Sequence, residues 1–243
     1  MAQMRNAEVS CVELAQVLPL NVLVIAASGA LGSTVAGLAI EANHNVYVFV
    51  RNETKLTLKI SQKIHKKILN VFQGDATNLV AVQRAVGGMD FVIECLGNSQ
   101  RAEAMPILIH AVEAAGCDSF IAMGSVAALL LPTRAPAGPA LGLKPMADLH
   151  LHTLRLLRAS TIKAWTQCCP SRLVPSHNNK PTGNFQTRAD VVDVEVFRNK
   201  KDLTYEDVAT AIVNACHLEA SGFNGSQISF ALRLETREGR VIL

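Results

Sequence analysis

Between Asn21 and Met123 short runs of strand-forming residues alternate with helical patterns, and that alternation leaves few folds open. Asn21–Ala26 (NVLVIA), Asn45–Val50 (NVYVFV), Val71–Phe72, Phe91–Cys95 and Ser119–Met123 read as buried strands, being short and apolar. Between them Gly29–Ala42, Thr54–Lys67, Leu79–Val86 and Ala102–Ala115 read as helices, the last stopped by Gly116. Strand, helix and strand in units of roughly 30 residues make parallel crossovers, which are right-handed and place every strand's C-terminus on one edge. The expected fold class is α/β: a doubly wound parallel sheet of the Rossmann type, one domain over residues 21–243 after an N-terminal extension at 1–20.

After Ser125 the rhythm loosens. The stretch 135–145, rich in Pro, Gly and Ala, predicts a loop, and Met146–Ser160 a helix. Lys163–Cys168 predicts a sixth strand, ended by Pro170, and 171–188 a long loop. Thr204 with Asp207 three residues on predicts a capped helix running to Leu218, and Ser226–Ala231 a last strand. From Thr54 to Lys67, Leu56, Ile60 and Ile64 recur every four residues, as do Lys55, Lys59, Lys63 and Lys67; this predicts one amphipathic helix with a basic stripe. The stripe suits either a solvated face or an anionic partner.

Charge narrows the partners. With 23 basic against 20 acidic residues, the excess is too small to imply nucleic acid. No stretch has the unbroken apolar length of a membrane span, and residues 1–20 carry Arg5, Glu8 and Glu13 rather than a signal core. The cysteines (Cys11, Cys95, Cys117, Cys168, Cys169, Cys216) form no CxxC pair and several sit in apolar runs, so reduced buried thiols, a cytoplasmic location and no metal are expected.

The chemistry-bearing residues gather at strand ends. Directly after the first strand comes Ala26-Ala27-Ser28-Gly29-Ala30-Leu31-Gly32, a turn opening a helix, whose N–H groups and dipole suit a pyrophosphate. Arg51 ends the second strand, where folds that select NAD place a carboxylate for the ribose diol; an arginine there suits a 2′-phosphate, with Lys55 assisting. Gly74-Asp75-Ala76 follows the third strand, Asp75 serving either the cofactor's base or a helix N-cap. Leu96-Gly97-Asn98 ends the fourth strand, where glycine lets a ribose and phosphates approach closely. Ser125 ends the fifth.

On these residues the chain resembles the NmrA-like group of atypical short-chain dehydrogenases, and within it the biliverdin and flavin reductases, over roughly Asn21–Phe230. Their Gly-x-x-Gly-x-x-Gly turn is matched at Gly29 and Gly32, with Ala26 in place of the first glycine. The resemblance implies NADP as cofactor, held by residues 27–32, Arg51, Asp75, Ala76, Leu96 and Gly97, with Ser125 beside the nicotinamide. Short-chain dehydrogenases pair a tyrosine with a lysine four residues later; matching Leu156-Leu157-Arg158-Ala159-Ser160 to the family's helix ending puts Asp148 and His152 at those positions. His152 is then a proton donor or a solvated histidine, and His150 a second candidate. Cys168-Cys169-Pro170 matches the strand end that lines the substrate side, one thiol expected in the core and one near the pocket.

Together these features imply an NADPH-dependent oxidoreductase passing hydride to a small conjugated acceptor, with Ser125 and His152 as catalytic residues. The competing class is a non-catalytic nucleotide-binding redox sensor that acts through a protein partner; a homodimer fits either.

Overall fold

Strand β1 (Asn21–Ile25) lies between two parallel neighbours, β2 (Asn45–Val50) on one side and β4 (Phe91–Glu94) on the other. In this computed structural model, which describes residues 19–131, 137–177, 180–182, 185–189, 202–217 and 226–232, β2 pairs in turn with β3 (Asn70–Gln73). On the far side β4 pairs with β5 (Ser119–Met123), and β5 with β6 (Ala164–Cys169), all in parallel. The chain thus builds outward from β1 to β3, returns, and builds outward again. The crevice above β1 and β4, where the order reverses, is where such sheets bind ligands.

Alternate residues of each strand face opposite sides, and helices cover both. Val22, Val24, Val46 and Val48 pack under α1 (Ala30–Glu41) and α8 (Tyr205–Asn214), using Val35, Ala36, Val208 and Ile212. Leu23, Ile25 and Val92 pack under α4 (Leu79–Val86), α5 (Asn98–Ala114) and α7 (Lys144–Ala159), using Val82, Leu108, Val112, Leu154 and Leu157. Continuous apolar runs in the strands are what burial on both faces requires. Gly116 ends α5 with φ 65°, and the Cys117 N–H reaches back to Val112 O, as a C-terminal glycine allows.

Several expectations need correction. The single helix over 54–67 is two short turns, α2 (Glu53–Thr57) and α3 (Gln62–His65), because the Ser61 hydroxyl accepts from Ile64 N and caps a fresh start. Leu56 and Ile60 are still buried, so the apolar period survives while the basic stripe is broken. Part of 135–145 is helical, in α6 (Ala137–Ala140) and the start of α7. The loop at 171–188 contains β7 (Leu173–Val174), which pairs with β9 (Leu203–Thr204), and β8 (Phe185–Ala189). Both partners of that loop are remote in sequence, and its prolines hide short strands. The last strand, β10 (Ser226–Leu232), runs parallel to β6 and antiparallel to β8, which closes that edge. Helix α8 starts from Thr204 as expected but ends at Asn214, followed by a 3₁₀ turn at Ala215–His217. Residues 1–18 and Leu218 lie outside the described residues. No helix among the described residues is long and apolar enough to cross a membrane.

Candidate nucleotide site

The turn after β1 takes a glycine-like conformation without a glycine. Ala26 has φ 62°; its N–H donates to Phe49 O at 2.9 Å and its carbonyl accepts from Gly29 N at 2.9 Å. That left-handed backbone costs an alanine roughly 1–2 kcal/mol, borne by the surrounding contacts. Gly32 is needed for packing: a Cβ there would lie 2.5 Å from Ala26 O and 2.9 Å from Ala27 Cα. The helix therefore approaches the strand closely, and its N-terminus points at the crevice.

One cleft gathers the strand ends. Ser28 and Gly29 line it from the first turn, Arg51 and Lys55 from the end of β2, Gly74 and Ala76 from the end of β3, and Leu96, Gly97 and Gln100 from the end of β4. Of the expected turn residues, Ala27 is in the core, Leu31 packs against it, Ala30 is exposed beside the cleft, and Gly32 makes the helix contact. Two helices open onto the cleft, α1 from Gly29 and α5 from Gly97, and neither has a side-chain cap. Their first N–H groups are free to meet an anion. Gly97 has ordinary extended geometry, and nothing lies within 4 Å of the place a Cβ would take. Its missing side chain keeps the cleft open.

Asp75 stands beside this lining rather than on it. Its Oδ1 accepts from both the N–H of Thr77 at 2.9 Å and its hydroxyl at 2.7 Å. Those bonds hold the carboxyl below its usual range, against burial, with Arg51 adding a smaller pull the same way. Asp75 is not the N-cap; Asn78 is, accepting from Ala81 N.

Ser125 is buried after β5 and absent from the cleft lining. Its Oγ accepts from Ala127 N at 3.3 Å and donates to the sulfur of Met146 at 3.1 Å. The inward face of α7 is therefore the one bearing Met146, His150, Thr153 and Leu157, and the expected Asp148 and His152 lie on the other. Asp148 is exposed and pairs with Lys144, and His152 is exposed, so the structure does not bring His152 to Ser125. The inward positions are taken by Met146 and His150, each two residues before Asp148 and His152. His150 is buried, and its pKa falls to about 3: burial disfavours the cation, the nearby Arg101 adds to this, and a hydrogen bond to the Met123 backbone opposes both.

Beneath the crevice lies a pair that the strand and helix patterns did not single out. Arg101, 1% exposed, forks onto Glu94, 0% exposed, with Nη1 at 2.7 Å and Nη2 at 2.9 Å from the two carboxylate oxygens. The same guanidinium donates to Met123 O and Leu96 O, both at 2.6 Å. The signal was present in the sequence: a charge inside an otherwise apolar strand, Phe91–Cys95, demands a buried partner.

Cys168 and Cys169 are both fully buried, so neither faces the cleft; the thiol that lines it is Cys95. All five described cysteines are free. Burial pushes the Cys95 and Cys168 thiols up, and Cys216 to about 12, so none is a nucleophile at neutral pH.

Comparison with known proteins agrees with this fold. The model of the NAD(P)H-binding family matches residues 26–218. A short-chain dehydrogenase/reductase from Veillonella parvula, solved with NADP, superposes with TM-score 0.70 at 15% identity over 88% of this chain and 95% of its own. A Streptococcus pneumoniae protein described as an NADH-flavin reductase gives 0.69 at 21% identity, covering 88% of this chain and 100% of its own. An anaerobilin reductase from Escherichia coli O157:H7 gives 0.65 at 20% identity, covering 87% and 97%.

Proposed function

The chain belongs to the NAD(P)H-binding family, and we propose that it is an NADPH-dependent reductase passing hydride to a small conjugated acceptor of the quinone or flavin type. The observation that carries the cofactor choice is the lining at the end of β2: among the described residues the cleft holds the cations of Arg51 and Lys55 and no carboxylate. A carboxylate would favour the ribose diol of NAD, whereas two cations favour a 2′-phosphate.

In this reading the uncapped N-termini of α1 and α5 hold the pyrophosphate. Gly74 and Ala76 border the adenine, beside Asp75, and the open space at Gly97 admits the ribose. A bound NADPH supplies the hydride from its nicotinamide ring. Ser125 orients the ring or the acceptor, and the proton comes from solvent. The solved neighbours described as reductases of flavin and of a bilin-type substrate support the conjugated acceptor as a class.

Calorimetric titration with NADPH and NADH, followed by an acceptor panel, tests the reading. Tighter NADPH binding with steady oxidation by quinones or flavins is expected. Equal affinity for both nucleotides would remove the Arg51 assignment. Tight binding with no turnover on any acceptor would leave a nucleotide sensor instead.

A further inference from the structure

The ladder between β4 and β5 runs from Phe91↔Ser119 to Ile93↔Ile121 and then stops. Beyond it the two strands part, and the Glu94–Arg101 pair occupies the gap. Met123 N donates to Glu94 Oε2 at 3.0 Å, in place of a strand carbonyl. Leu96 N donates to Glu94 Oε1 at 2.5 Å, and the carbonyls of both residues accept from Arg101. Each of these backbone groups is thus held by one side-chain unit rather than by the sheet.

Stability alone does not account for such a pair. Taking two charges fully out of water costs as much as their attraction returns, and a well-packed apolar pair in the same place is often as stable. What an apolar pair cannot do is bond four backbone groups at set distances. The groups it bonds belong to Leu96, which lines the cleft just before Gly97, and to Met123, two residues before the buried Ser125.

We propose that Glu94 and Arg101 are positioning residues that set the spacing between the Gly97 and Ser125 edges, and through it the seat of the nicotinamide half of the cofactor. This rests on the NADPH reading above. The adenine half, held by β1, β2 and β3, is independent of the pair.

Two variants and two ligands test this. E94M/R101M replaces the pair with apolar groups of similar length, and R101K keeps the charge without the fork; far-UV circular dichroism and melting curves check that both fold. Each is titrated with NADPH and with adenosine 2′,5′-bisphosphate, which lacks the nicotinamide, its ribose and the pyrophosphate bridge, while nicotinamide fluorescence and turnover with a simple naphthoquinone are followed. Expected is unchanged affinity for the fragment, loss of the bound-nicotinamide emission change, and a fall in kcat of roughly ten- to a hundred-fold, as a misplaced reacting group gives. Unaltered emission and kcat in E94M/R101M would overturn the proposal, as would parallel weakening of both ligands. Wild-type protein that binds neither ligand would defeat the NADPH reading first and this proposal with it, an outcome visible without any variant.

Discussion

The hydroxyl of Ser125 meets the sulfur of Met146 at 3.1 Å. A thioether accepts a hydrogen bond but has no proton to give. The chain has two tyrosines, Tyr47 in β2 and Tyr205 at the start of α8, and neither belongs to α7. Under the proposed function, reduction beside Ser125 suits an acceptor that spreads the incoming negative charge over a conjugated system and takes its proton from water.

His152 is exposed on the face of α7 turned away from Ser125. His152→Gln should leave kcat within about two-fold, as surface changes away from the chemistry do. Steady-state rates across pH 5–9 check this; a lost inflection in the variant would restore His152 to the site.

Arg51→Asp should weaken NADPH by about ten- to a hundred-fold, the loss of a charge-assisted hydrogen bond, while leaving NADH unchanged or tighter. Paired titrations read the ratio directly, and an unaltered ratio would exclude Arg51 from the 2′-phosphate.

Gly97→Val should fold normally and fail to bind. Gly97 has ordinary extended backbone angles and no atom near a Cβ position, so the side chain meets only the cleft. Melting temperature within a few degrees of wild type, with NADPH affinity down at least about ten-fold, is expected. Unchanged affinity would mean the ligand does not pass Gly97.

Ala26→Gly should stabilise the protein by about 1 kcal/mol, since glycine takes positive φ without the steric cost, less its greater unfolded entropy. For a chain of this size that is roughly 2–4 °C in melting temperature. A lower melting temperature would show that the Ala26 methyl contributes packing that outweighs its strain.

The His150 pKa, lowered from 6.5 to about 3, makes an acid-side prediction. Below pH 6.5 the unfolded chain binds a proton that the folded chain refuses, so stability falls as pH drops toward 3, by at most about 1.4 kcal/mol per unit from this group. His150→Leu should flatten that part of the profile in denaturant titrations at pH 4 and 6. An identical slope would place the acid sensitivity elsewhere.

Much of the crevice was legible in the sequence. Ser28, Gly29, Arg51, Ala76, Leu96 and Gly97 all follow strands by one to a few residues, and a parallel sheet carries every strand's end to one edge. Residue spacing served less well on α7, where matching the helix ending faced His152 inward and packing turned Met146 and His150 there instead. A shift of two residues turns a helix by about 200°, so a small register error exchanges its faces.

The order of strands and helices, the parallel sheet and the edge where its strand ends line a cleft followed from the sequence by itself, because apolar period and turn chemistry act over a few neighbouring residues. Only the tertiary structure decided which face of α7 meets Ser125, that 54–67 is two turns, that 171–188 contributes strands, and that Arg101 reaches Glu94 beneath the crevice. The contacts of α7 and the strand pairings of 171–188 depend on partners distant along the chain, whereas the break at Ser61 is a local cap that competed with the helical period and the Arg101–Glu94 pair is set by burial.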